Sequence, residues 1–568
     1  MYYTHATGNR KRQRYRTRGP LRRPATATAR PPRHRTACLA PEFPVYSEAS
    51  WDRGPDRSAA TTMAVNYGVC DKCHSRVPCS HDIRDGKVYL VKHCPACGKT
   101  EGLVSNDPAT WQRKREIWQY DSATATQHVC HLQCEGCRHP RSLKLVFLDL
   151  TNRCNMNCPI CVANAPWMGF DYHPPFAYFE NMLKGLAKLD PKPVIHLFGG
   201  EPTLRDDLFE IVDLAHSLGL RVHLVTNGLK LADEAFCKKV CDRKLPVFLG
   251  FDGRDPSIYQ RMRKTTACYQ PKLKALENLK KFAVQRQDAI MCTVARHIND
   301  AHIADLFTLC YEHRNHLKAL NFLPLTETWE AGRFEPDIST TIEDVQEIVA
   351  AAFPDEKVEF ASLGLQFHFD HALSYFRSGG ARTFNKVHPN CEAATIFIPD
   401  GQRYRPISHF LKRPLDQLTA EAVNIAKGLE PRLARLDSTR GLSRLRGKLI
   451  VLRAFLPFIR RNVHFRRLLK GSPWLVIPRL LGGLILGKTL YDQLARHTWI
   501  GDRLTSIILP FEEIHSIESE RMEMCAAGFA YEDTETGEAK TVPACVWWLY
   551  NRPLLQNIMA KYGPAARA

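Results

Sequence analysis

Residues 149–164 read DLTNRCNMNCPICVAN and carry Cys154, Cys158 and Cys161, separated by three residues and then two. An apolar run, LKLVFLDL at 143–150, leads straight into them. A run of that length and composition reads as a strand, so three thiols sit on the loop leaving its C-terminal end. Thiolates are soft ligands suited to iron–sulfur clusters, zinc and copper(I). A cubane cluster ordinarily takes four cysteines. Three leave one iron open to an outside molecule, as a catalytic cluster needs. On this motif alone, a zinc site that borrows a fourth ligand and ordinary core cysteines both stay open.

Working outward, further apolar runs lie at 194–198 (VIHLF), 221–225 (RVHLV), 246–251 (PVFLGF), 288–295 (DAIMCTVA) and 318–323 (KALNFL). Helix-period stretches separate them, among them RDDLFEIVDLAHSLG at 205–219 and PKLKALENLKKFAV at 271–284. Repeated strand–helix units imply an α/β fold with a parallel sheet, drawn into an open or closed barrel. Reactive loops in such barrels follow the C-terminal ends of the strands. The second run is followed by GGEPTLR, Gly199–Arg205. Its two glycines allow close backbone approach to a ligand, Glu201 adds a carboxylate, and Pro202 starts a turn.

A CxxxCxxC loop after the first strand, with GGEP after the second, resembles the radical S-adenosylmethionine (SAM) superfamily. The resemblance implies a partial (β/α)6 barrel and a [4Fe–4S] cluster on Cys154, Cys158 and Cys161. SAM would bind the open iron through its amino and carboxylate groups. Reductive cleavage of its C–S bond yields methionine and a 5′-deoxyadenosyl radical, which abstracts hydrogen from a substrate. Gly199, Gly200, Glu201 and Pro202 are implied to line the methionine end of SAM. Asn227, in TNG, and Asp252, in GFDG, fall where contacts to the SAM ribose or the substrate arise. Turn capping accounts for those two equally well. No acid–base pair is assigned, because the abstraction belongs to the radical.

Cys70, Cys73, Cys94 and Cys97 form two CxxC knuckles around a hairpin-like stretch, the pattern of a mononuclear zinc or iron site; Cys79 and His81 read as spares. Cys130, Cys134 and Cys137 repeat the CxxxCxxC spacing and point to a second cluster, with zinc or disulfides as alternatives. A rubredoxin-like knuckle pair, a cysteine triplet and a radical SAM barrel in this order resemble the archaeal tetraether lipid synthase group and its relatives, which include proteins described as pterin methyltransferases. HPNCEAATIFIPDGQRYRPISHF, with Cys391, and ERMEMCAAGFAYEDTETGEAKTVPACVWW, with Cys525 and Cys545, continue the likeness. It implies that these late cysteines ligate auxiliary clusters. It covers roughly residues 66–560, apart from 410–500.

Net charge is +20, but residues 1–40 hold eleven Lys or Arg and no acid, which leaves +9 (20 minus 11) for the rest. That arm is Pro-, Thr- and Ala-rich without periodicity and is expected to be disordered. A misassigned start ahead of Met63, a dispensable tail and a nucleic-acid arm are its three readings. The expected zones are a tail at 1–62, a Cys-rich metal module at 63–140, the radical SAM core at 141–330, and a mixed α+β region at 331–568. Of twenty cysteines, most of those before residue 165 are grouped at ligand spacings, and without a secretory signal this points to a reducing, cytoplasmic setting.

Residues 410–500 depart from the likeness. They are basic and apolar, and their longest apolar run is broken by Arg479, too short for a membrane span of about 20 residues. An amphipathic helix on an anionic bilayer and a helix packed on the barrel with its arginines in water are equal readings. The leading expectation for function is radical C–C coupling of a lipid hydrocarbon chain, with ferredoxin or flavodoxin as reductant and peripheral membrane contact. The alternative is a methyltransferase or maturase acting on a small molecule such as a pterin. The remaining class is a zinc-knuckle protein that binds or modifies nucleic acid, a partner otherwise not expected.

Overall fold

The computed structural model of the protein describes residues 66–118, 130, 132, 143–283, 287–327, 333–377 and 387–563. The tail at 1–62, Cys134 and Cys137 lie outside them. The first strands, β1 (Tyr67–Val69), β2 (Arg76–Arg84), β3 (Lys87–Cys94) and β4 (Gly98–Ser105), pair antiparallel in that order. A two-residue turn at Asp85 and Gly86, both with positive φ (51° and 68°), joins β2 to β3, the geometry that the right-handed twist of a hairpin favours.

The central sheet follows from side-chain alternation. Its six consecutive parallel strands are β5 (Leu145–Thr151), β6 (Val194–Gly199), β7 (Arg221–Thr226), β8 (Val247–Gly250), β9 (Asp288–Val294) and β10 (Leu317–Pro324). Val146, Leu148 and Leu150 are fully buried on one face of β5, and the register sets Val146 beside Ile195 and Leu148 beside Leu197. Crossover helices cover that face. In helix Leu208–Ser217, the buried residues Leu208, Ile211, Val212 and Ala215 fall at i, i+3, i+4 and i+7, one stripe of a helix. Each fully buried Leu or Ile contributes about 1.5–3 kcal/mol. The opposite face carries Phe147, His196 and His223 in register, then Asp149 and Phe198 nearer the strand ends.

Six further strands follow: β11 (Ala361–Ser362), β12 (Ala393–Pro399), β13 (Tyr404–Pro406), β14 (Leu504–Ile508), β15 (Ala527–Glu532) and β16 (Ala539–Pro543). They extend both edges of the barrel sheet. β14 pairs parallel with β10 and is followed by β12; β15 pairs parallel with β5 and is followed by β16. The region expected as a mixed C-terminal part therefore completes the barrel sheet.

The β1–β4 ribbon docks on the segment between β14 and β15. Asn66 donates to Glu518 Oε2 at 2.6 Å, and Tyr67 N–H donates to Ser519 Oγ at 2.9 Å. Lys92, wholly buried, donates to Val69 O (2.8 Å), Asp71 Oδ1 (2.6 Å) and Ile514 O (2.6 Å). Lys92→Met is expected to leave two buried carbonyls without a donor and to destabilise the docked ribbon by about 2–4 kcal/mol. A lower midpoint in a urea melt of the full chain would register this; an unchanged midpoint would rule out the role.

The basic apolar stretch is not one helix. It divides into Leu415–Leu433, Gly441–Asn462, Pro473–Ile485 and Leu490–His497, with a short turn of helix at Phe465–Leu468. Gly471, with φ +127°, and Gly487, with φ +94°, break it, since residues with a Cβ rarely adopt that backbone. The inner faces pack Tyr375, Leu433, Val451 and Leu484 into a separate core.

Candidate active site and metal centres

Two strand ends assemble the first site. The loop with Cys154, Cys158 and Cys161 begins where β5 stops, and GGEP begins where β6 stops. Gly200 N–H donates to Thr151 O at 2.6 Å, and Glu201 N–H donates to Arg153 O at 2.8 Å, strapping the two loops together. A Cβ on Gly199, where φ is +120°, would lie 2.4 Å from Thr151 O, and one on Gly200 would lie 2.3 Å from Arg153 O. Both obstacles are backbone, so neither position admits a side chain while the strap holds.

Glu201 is fully buried. Its Oε1 accepts from Thr203 N (3.1 Å), Thr203 Oγ1 (2.6 Å) and Thr226 Oγ1 (2.7 Å), and its Oε2 accepts from Asn227 N (2.8 Å). The carboxylate thus caps the Pro202–Leu204 turn and ties it to the end of β7. Asn227 Nδ2 donates to Asn155 Oδ1 at 2.7 Å and lies 4.0 Å from Cys154 Sγ. The cysteine loop, GGEP and TNG form one bonded unit.

Asp252 is buried in an ion pair: Arg263 donates to both of its oxygens at 3.0 and 3.1 Å, and Thr293 N–H adds a third bond at 3.1 Å. Arg263 also faces Cys158. Burial opposes its charge, but Asp252 and the Cys158 thiol together hold the guanidinium above its usual range. Lys272, also buried, donates to Asn227 O (2.7 Å) and Gly250 O (2.5 Å), joining the ends of β7 and β8. Sequence reasoning missed both cations, since each sits in a helix-period stretch that reads as solvated surface.

All three loop cysteines are half-buried, Cys154 and Cys158 against a cluster of Met156, Ile160, Tyr259, Met262 and Leu325. Burial, joined by Glu201 and the other two thiols, pushes Cys154 up to about 12, and burial likewise raises Cys161. Repulsion among buried thiolates favours a cation beside them. Among the described residues, Cys70, Cys73, Cys94 and Cys97 alone bring their ligand atoms within 4.8 Å of one another. Their Cys73–Cys94 separation of 3.7 Å suits one tetrahedral ion with metal–sulfur bonds of about 2.3 Å.

The late cysteines converge. Cys391 follows a turn ahead of β12, Cys525 precedes β15, and Cys545 lies in the turn after β16. Burial raises the Cys391 and Cys545 thiols, and their neighbours Cys525 and Glu512 add to both. Cys130 is buried, and its N–H donates to Glu523 Oε2 at 3.4 Å, two residues from Cys525.

Between the cysteine loop and this convergence lies a cavity. Val162 and Ala163, directly after Cys161, form one wall; Glu512 and Cys545 form another; Phe198, Phe511, Phe529, Trp547 and Trp548 supply aromatic faces. Trp547 stacks on Phe529 at 5.1 Å and donates to Asp149 Oδ2 at 2.9 Å. Glu512 pairs with Arg521 through Oε1. Among the described residues, its Oε2 and the Trp548 indole N–H have no hydrogen-bond partner. Burial pushes Glu512 up to about 7, against the pull of Arg521.

Residues 148–310, which carry this geometry, match the radical SAM superfamily. Residues 66–106 match the HMPTM N-terminal zinc ribbon domain. The chain is 33% identical to 7,8-dihydro-6-hydroxymethylpterin dimethyltransferase of Methanocaldococcus jannaschii, over 46% of this chain and 53% of that protein. Against a probable GTP 3′,8-cyclase of Methanothermobacter marburgensis it is 29% identical, over 35% and 65%. Against an AdoMet-dependent heme synthase of Oleidesulfovibrio alaskensis it is 28% identical, over 29% and 42%. The chain thus spans about half the length of these relatives.

Proposed function

We propose that this protein is a radical SAM enzyme acting on a small, flat heterocycle of the pterin kind. A [4Fe–4S] cluster on Cys154, Cys158 and Cys161, with SAM on its open corner and an electron from ferredoxin or flavodoxin, would supply the 5′-deoxyadenosyl radical. Gly199, Gly200, Glu201 and Pro202 keep the adjacent wall close and rigid, and Asn227, Asp252 and Arg263 stiffen the strand ends beside it. The knuckle pair would hold one zinc or iron. Cys391, Cys525 and Cys545, with Cys130, Cys134 and Cys137, would hold auxiliary clusters.

The observation that carries the substrate class is the aromatic lining beside Val162 and Ala163, whose enclosed space of about 20 Å³ has to widen to admit a ring. Its aromatic faces suit stacking on a planar ring, and the open Glu512 oxygen suits one ring N–H group. The relatives' names support the same reading and displace the lipid chain from first place. A hydrocarbon substrate remains the second reading, favoured by the basic apolar helices at 441–486.

Anaerobic protein loaded with iron and sulfide, given SAM, dithionite and 7,8-dihydro-6-hydroxymethylpterin, is expected to form 5′-deoxyadenosine together with a modified pterin seen by mass spectrometry. Glu512→Gln should raise the KM for the pterin roughly 10–100-fold, the loss of one charge-assisted hydrogen bond. Turnover with membrane lipids and none with the pterin would reject the proposal.

A further inference from the structure

Helices Gly441–Asn462 and Pro473–Ile485 lie outside the sites above. Their inner faces are covered: Val451 and Leu484 enter a core with Tyr375, and Lys448 donates to Leu484 O at 2.9 Å. The outer faces are covered by nothing among the described residues. On the first helix, Leu442, Arg446, Leu449, Arg453, Pro457 and Arg460 are all exposed. They fall at i, i+4, i+7, i+11, i+15 and i+18, a single stripe in which apolar and cationic side chains alternate. On the second, Trp474 is 89% exposed, Leu475 60% and Ile485 43%, with Leu486 just beyond it at 83%. Pro478 and Arg479 share that exposed side. Large apolar side chains displayed this openly mark a surface that meets an apolar phase.

Charge selects the phase. Between Asp437 and Asp492 the chain holds twelve Lys or Arg and no acidic residue. A second copy of the chain would bring the same positive charge to the contact and be repelled. A nucleic acid would satisfy the arginines and leave Trp474, Leu475 and Leu486 in water. An anionic lipid surface satisfies both sets at once: headgroups meet the arginines, the acyl boundary takes the leucines, and tryptophan favours that boundary. No helix among the described residues is long and apolar enough to cross a membrane, so the geometry is that of helices lying along the surface. We propose that the outer faces of helices Gly441–Asn462 and Pro473–Ile485 dock the protein on an anionic lipid bilayer. The surface stands apart from the cavity and from any identification of the substrate.

Full-length protein is to be spun down with phosphatidylglycerol vesicles and, separately, with phosphatidylcholine vesicles. Binding is expected to phosphatidylglycerol and to fall with added salt. Trp474→Ser with Leu486→Ser should weaken it at least roughly tenfold, and Arg446→Glu with Arg453→Glu should do the same. All four side chains are exposed, and an unchanged circular dichroism spectrum will verify folding. No binding to phosphatidylglycerol, equal binding to both lipids, or variants that bind like wild type would each overturn the proposal. So would a concentration-dependent dimer that the Trp474/Leu486 variant dissolves, since a second copy would then cover the face.

Discussion

Replacing Cys154, Cys158 and Cys161 together by alanine is expected to abolish 5′-deoxyadenosine formation from SAM and dithionite, a fall of more than roughly a thousandfold to the detection limit. On the proposed function no other side chain would make good the loss, because the electron would reach SAM through iron held by these thiols. On the proposed function the same protein should lose about four irons per chain and keep the metal that would sit on the β1–β4 ribbon, whose four thiols form a separate set. Iron analysis alongside the assay separates a lost cluster from a misfolded chain. SAM cleavage persisting in the triple variant would move the reaction centre to another cysteine set, with the converging Cys391, Cys525 and Cys545 next in line.

Glu201→Ala is expected to be the most damaging single substitution in the barrel. The carboxylate satisfies two hydroxyls and two backbone N–H groups in a fully buried turn. Each buried donor left unpaired costs about 1–3 kcal/mol, so a destabilisation of about 3–5 kcal/mol remains after partial relaxation. Glu201→Gln preserves the volume and much of the bonding, and about 1–2 kcal/mol is expected for it. Denaturant midpoints of the two variants measure the difference. If alanine costs no more than glutamine, the carboxylate is not the tie between β6 and β7. Through Asn227, that tie also bears on the cysteine loop, so the alanine variant should retain less cluster iron than the glutamine variant.

Much of the barrel was legible because its signals are local. The apolar runs at 143–150, 194–198, 221–225, 246–251, 288–295 and 318–323 each contain most of a strand, and the helix-period stretches between them form crossovers. Lys272 and Arg263 were illegible because each carries its charge inward from a helix that otherwise reads as surface. Their partners, Asn227 O and Gly250 O for one and Asp252 for the other, belong to strand ends up to 45 residues away. The basic stretch at 410–500 misled in continuity: Gly471 and Gly487 adopt backbone that ends a helix, a property of the folded path more than of composition.

The chain itself determined the CxxxCxxC loop, the glycines of GGEP and the knuckle pair, since spacing and the missing Cβ act over a few residues. Only the tertiary structure decided that β14 and β15 complete opposite edges of the barrel, that Cys391, Cys525 and Cys545 come within electrostatic reach of one another, and that Glu512 faces a cavity beside Cys161. Those contacts join residues hundreds of positions apart, and strand edges accept many partners of like pattern. Burial of the whole core selects among them, and no local stretch carries that choice.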